Sequence, residues 1–176
     1  MDTGLLLVRV VVGLLLAGHG TQKLFGWFGG HGLDATGGFF DKLGYKPGKV
    51  WAAVAGVSEA GGGLLFALGL FTPLAAAMII GVMFNTVTSV HGQKGLWVTE
   101  GGFEYNLVLA TVAAAVAFAG PGAASLDSAL DVTIAGAGWG LAAVAVGLVA
   151  GAATEVYRRV SKRAPQLRSR DVRATA

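Results

Sequence analysis

The run from Leu5 to Phe25 is apolar for long enough to cross a bilayer, yet it holds Arg9 and His19 and ends on Gln22 and Lys23. Hydrocarbon tolerates such groups only where they face a protein interior, another polar group or water. The chain must therefore fold so that other segments bring partners to this one. Asp2 is the sole charge ahead of the apolar core, where a secretory signal would carry Lys or Arg, so the segment reads as a retained helix.

Four further apolar runs follow, so an all-α membrane protein is expected. The spans fall at about Gly4–Phe25, Val50–Leu70, Thr72–Val90, Phe103–Ala119 and Val132–Ala153. Each approaches the roughly 20 residues that a 30 Å hydrocarbon layer requires, and the fourth is the shortest. Charged residues make up 13% of the chain, about half the share of a soluble domain, which agrees with a polytopic protein. Thr72 suits an N-cap and Pro73 a first helical position. In the connection after the first span, Asp34 is placed to cap a short interfacial helix over 34–43, closed by Gly44. Leu33, Thr36, Phe40 and Leu43 share one side of it, and Trp27, Phe28 and Tyr45 read as headgroup-level aromatics. A basic tail occupies 154–176, in which Pro165 is expected to stop any helix continuing from the last span and to leave the remainder disordered.

Five spans place the termini on opposite sides. With the tail in the cytoplasm, twelve of the thirteen basic residues lie inside and Arg9 lies within a helix. This positive-inside bias orients the N-terminus outward. Polar residues of four helices then gather in the inner third of the bilayer: His19, Glu59, Asn85 and Asn106, with Gln22, Glu104, Tyr105 and His91 nearer the interface. Glu59 is expected to pair with Arg9 or with His19. The pairing either pins two helices together or forms part of a pocket for a head group or a proton. No helix carries an HxxxH or ExxH pair, so no metal site is assigned. Cysteine is absent, which excludes thiolate chemistry within the chain. The pairs Gly136/Gly140 and Gly147/Gly151 mark a close-packing surface for a neighbouring helix or subunit. Beyond Tyr157 the tail carries no aromatic or folded context for nucleic acid, and it reads as an orientation signal that touches anionic lipid.

Four separated stretches, GHGTQKLFGWFGGHGLDATGGFFDKLG, AGVSEAGGGLLFALGL, GLWVTEGGFEYN and GPGAASLDSAL, resemble the DoxX family of small bacterial membrane proteins. The likeness covers about residues 4–131 and rests on Arg9, His19, Gly20, Gln22, Lys23, Glu59, Gly101, Gly102, Glu104 and Tyr105. It implies a four-helix transmembrane bundle over 1–131, to which this chain adds a fifth transmembrane helix over 132–153. It also implies a bacterial cytoplasmic-membrane location and an oxidoreductase context. Some relatives are named for a thiosulfate–quinone oxidoreductase, and others assemble with soluble redox enzymes. The candidate site is accordingly Arg9, His19, Gln22, Glu59, Asn85, Glu104 and Tyr105, with quinone as the candidate cofactor. Membrane lipids, soluble redox enzymes, other membrane subunits or a second copy are the candidate partners. The alternative is a non-enzymatic scaffold that recruits redox partners. A transporter ranks last, because no inverted repeat or pair of broken helices is visible.

Overall fold

The computed structural model describes residues 2–174 apart from residue 133, and side-chain surroundings as far as residue 163. The described residues are helical and turn-like throughout: α1 Asp2–Phe25, α2 Gly32–Leu43, α3 Gly48–Leu68, α4 Thr72–Thr86, α5 Glu104–Ala119, α6 Leu126–Ala129 and α7 Ala137–Ala174. A π-turn, Val87–His91, and a short 3-10 turn extend α4 to Lys94. Four helices are long and apolar enough to span a membrane: Asp2–Phe25, Gly48–Leu68, Thr72–Lys94 and Ala137–Arg163. The one that falls short is α5, whose 16 residues extend about 24 Å.

The closest pair of helices is α1 with α3. Gly13 lies against Gly63 and Ala67, and Gly20 lies against Gly56 and Ala60. The two helices are thus antiparallel with backbone on backbone. A methyl group on Gly13 would fall 2.5 Å from the carbonyl oxygen of Gly63. The glycines recur at seven-residue spacing on both helices, which keeps them on one seam. In α7, Gly147 abuts Ala77 and Ile80 of α4, Gly151 abuts Phe84, and Gly140 abuts the Phe118 ring of α5. Those glycines pack within the chain. Gly136 does not join them. It sits just before α7 with φ of 98°.

One end of the bundle is tied by Arg9 and Asp127, both fully buried. The Arg9 guanidinium donates to the carbonyls of Pro121 and Ala124. Asp127 accepts from the backbone N–H of Phe71 at 2.8 Å and of Thr72 at 3.1 Å, and from the Thr72 hydroxyl at 2.8 Å. Its carboxylate, rather than Thr72, therefore caps α4, and it holds Phe71 at φ of 46°. That conformation disfavours a bulky residue unless its surroundings fix it. Gly69 closes α3 at φ of 63° directly beneath the Arg9 guanidinium, where a side chain would collide with it.

Several expectations give way here. Asp34 does not cap α2, which starts at Gly32. It pairs with Lys49 at 2.5 Å on the surface. Gly44 does close that helix, with φ of 105°. Tyr45 is buried rather than at headgroup level, with 4% of its surface exposed. It joins Phe40, Trp51 and Tyr157 in a stack with ring centroids 4.9–5.9 Å apart. The helical backbone of α7 continues through Pro165 to Ala174. Proline removes one hydrogen bond, but the Lys, Arg, Leu and Gln residues around it are good helix formers.

Candidate functional site

A cavity of about 610 Å³ opens between α1 and α3 on one side and α4, α5 and α7 on the other. Leu16, Val54, Met78, Val82, Leu109 and Val146 supply apolar wall. Polar groups come from His19, Lys23, Glu59, Asn85, Tyr105 and Asn106. Of the seven candidate residues, four line this space: His19, Glu59, Asn85 and Tyr105.

Glu59 is 5% exposed and forms an ion pair with Lys23. It pairs with neither Arg9 nor His19. The α1–α3 register explains why Arg9 is excluded. Gly13 opposite Gly63 and Gly20 opposite Gly56 put Arg9 about eight residues of α3 away from Glu59, roughly 12 Å along the helix. Arg9 instead serves the knot at the far end. Lys23 lies one turn beyond His19, and its flexible stem carries the ammonium to the carboxylate while the rest of the side chain stays apolar. In the sequence Lys23 ends the apolar run and counts among the inner basic residues. Its four-residue spacing from His19 was the available signal for a shared face.

Gln22 and Glu104 do not line the cavity, yet each fixes part of its rim. The Gln22 amide nitrogen donates to the Phe28 carbonyl at 3.1 Å, which turns its oxygen toward Nδ1 of His19, also at 3.1 Å. An amide oxygen can only accept, so Nδ1 carries the proton and neutral His19 is left with Nε2 as an acceptor. The His19 ring meets Tyr105 edge-on, with centroids 6.4 Å apart. Glu104 accepts from the backbone N–H of Val98 at 3.0 Å and ties down the loop before α5. His91 does the same from the other side, with Nδ1 donating to the Gly101 carbonyl at 2.6 Å.

Asn85 is held by contacts from its own helix, from α7 and from the α2–α3 connection. Its amide nitrogen donates to Gly81 at 3.0 Å, and its oxygen accepts from Thr154 at 2.9 Å and from the Tyr45 hydroxyl at 3.3 Å. Burial and the nearby Glu155 carboxylate both raise the pKa of Tyr45, so its hydroxyl stays a neutral donor. Asn106, 5% exposed, reaches only the Met83 sulfur, at 3.4 Å. Thr154 and Trp51 also line the cavity and carry no motif that would have singled them out.

A family model, DoxX, matches residues 4–92, which is half of the chain. The chain belongs to the DoxX family. The match takes in α1 to α4 and the π-turn, and with them His19, Gln22, Lys23, Glu59 and Asn85. It ends ahead of Glu104 and Tyr105. No curated protein and no solved structure matches the chain. Together with four apolar helices of membrane length, membership identifies this DoxX protein as a multi-pass membrane protein.

Proposed function

We propose that this DoxX protein is an integral membrane subunit of an oxidoreductase system whose cavity receives a quinone-type ring. The observation that carries the reading is the make-up of the cavity. Its walls are largely apolar, with the Lys23–Glu59 pair, whose carboxylate is buried, His19 and Tyr105 among its polar groups. That suits a ligand with a polar ring and an apolar tail, and 610 Å³ falls within the usual range for small-ligand sites. The residues named as holding the ring are His19, Glu59, Asn85 and Tyr105.

When bound, a quinone-type group supplies redox chemistry that a chain without cysteine lacks. The chain's own contribution is to orient and to handle protons. His19 Nε2 accepts a proton while Gln22 holds the ring in place. The Glu59 carboxylate, paired with Lys23, faces the cavity and is the group placed to take up a proton delivered there. Lys23, rather than Arg9, is the counter-ion. In this reading the helices cross a bacterial cytoplasmic membrane five times. The N-terminus is outside and the basic tail is in the cytoplasm, within reach of soluble redox enzymes. The units are a DoxX bundle over 1–131, a fifth crossing over 132–153 and the tail.

A second reading, a non-enzymatic scaffold, is favoured by the extent to which Glu59, Gln22 and Asn85 already have protein partners, in Lys23, in Phe28 and in Gly81 and Thr154 respectively. Trp51 lines the cavity and separates the two readings. Short-chain ubiquinone or menaquinone, titrated into detergent-solubilised protein, should quench tryptophan fluorescence saturably. The saturable part should vanish in Trp51→Phe and weaken several-fold in His19→Ala and Glu59→Gln. Linear quenching that is the same in Trp51→Phe removes the quinone reading and leaves the scaffold.

A further inference from the structure

At the Lys23 end of the bundle, outside the cavity just described, a second recess of about 570 Å³ lies between α2, the π-turn and α7. Its lining is polar and strongly basic: Lys42, Arg158, Arg159, Lys162 and Arg163. One carboxylate serves this group. Glu155 accepts from Arg158 at 2.7 Å through both oxygens and from Arg159 at 2.7 Å. Arg158 also donates to the Leu43 carbonyl at 3.0 Å, at the negative end of the α2 dipole. Lys42, Lys162 and Arg163 make no ion pair among the described residues. Five cations around one carboxylate repel one another, and a recess concentrates that field more than a flat surface would.

We propose that this recess binds a phosphate group, presented by a lipid headgroup or as free phosphate. Arg158 and Arg159, locked by Glu155, form the rigid back of the site, and Lys42, Lys162 and Arg163 close on the anion from the front. Guanidinium and ammonium groups are the usual partners of phosphate oxygens. The recess sits where the apolar stretches of α4 and α7 give way to charge. That level matches a headgroup and favours the lipid source. The assignment does not depend on a quinone in the first cavity.

The test is native mass spectrometry of the full chain in detergent, titrated separately with phosphatidylglycerol and phosphatidylcholine. The anionic lipid should bind at least about tenfold more tightly. The double variant Lys162→Gln/Arg163→Gln should lose most of that preference, while Lys49→Gln, at the surface and away from the recess, should keep it. Lys162 and Arg163 are exposed, so thermal unfolding of the double variant should match the parent. Should it not, the ratio between the two lipids on the unaltered protein, followed as salt is raised, decides alone, and the preference should shrink with added salt. Inorganic phosphate at millimolar concentration distinguishes the sources. Displacement of the lipid shows that free phosphate suffices, and retention shows that the lipid must present it. Equal binding of both lipids, a double variant that binds as the parent does, or an equal loss in Lys49→Gln would each overturn the proposal.

Discussion

Replacing Gly13 with alanine should destabilise the bundle, whereas the same change at Gly18, five residues along the same helix, should stabilise it. Both substitutions gain helix propensity, about 1 kcal/mol relative to glycine. At Gly18 nothing opposes the gain, because an added methyl meets no atom within 4 Å. At Gly13 the methyl would lie 2.5 Å from the Gly63 carbonyl oxygen and 2.6 Å from the Ala67 nitrogen. Ordinary contact needs about 3.4 Å, so α1 and α3 must part by roughly 0.9 Å there. The opposing atoms are backbone, so no flexible side-chain end can yield. Overpacking of this kind costs about 1–3 kcal/mol, and the upper part of that range applies. The net loss at Gly13 is about 2 kcal/mol, and the two variants should differ by about 3 kcal/mol. Thermal unfolding in a mild detergent, followed by helical circular dichroism, measures the difference. Two alanine variants that shift together, or a Gly13→Ala protein as stable as its parent, would refute the α1–α3 register and with it the explanation of why Arg9 and Glu59 stay apart.

Asp127→Ala should be among the most damaging single changes, lowering stability by about 3–5 kcal/mol, because the Phe71 and Thr72 N–H groups and the Thr72 hydroxyl lose their acceptor and the buried Arg9 charge loses its nearby counter-charge; unfolding midpoints check it. Glu59→Gln alone strands the Lys23 ammonium, whereas Glu59→Gln combined with Lys23→Met should recover much of the loss, a coupling that a double-mutant cycle reads directly. Tyr45→Phe removes the hydroxyl from Asn85 and keeps the aromatic stack, so about 1 kcal/mol should be lost with little change in near-ultraviolet dichroism.

Hydropathy and turn chemistry made the helices legible. α3 and α4 start and stop close to their expected limits, and Gly44 marks the end of α2 because only glycine takes its backbone conformation readily. The side of α2 that carries Leu33, Thr36, Phe40 and Leu43 is the half-buried one. Partner choice was harder to read. Arg9 and Glu59 looked like mates because each is an isolated charge in an apolar run, but pairing depends on register, and register is set by glycines whose role only appears when two helices are laid together. Asp127 escaped notice because it lies in a polar connection, where an acidic residue usually meets water. Tyr45 was misplaced for a similar reason: an aromatic beside a membrane helix reads as an anchor unless a hidden acceptor such as Asn85 is known. Of the candidate set, His19, Glu59, Asn85 and Tyr105 line one cavity, while Gln22 and Glu104 brace it and Arg9 belongs elsewhere.

The buried fastening of Arg9 and Asp127 has a mechanical corollary. It joins α1, the α3–α4 turn and the α5–α7 connection at a single point, so thermal breathing of the helices has a fixed pivot. Amplitude must then grow with distance from that pivot, as in a pair of tongs, and be greatest near Lys23 and the π-turn. Hydrogen exchange should be slowest at Phe71 and Thr72 and quicken along α4 toward His91, so that a guest could come and go at the loose end while the clasp stays shut.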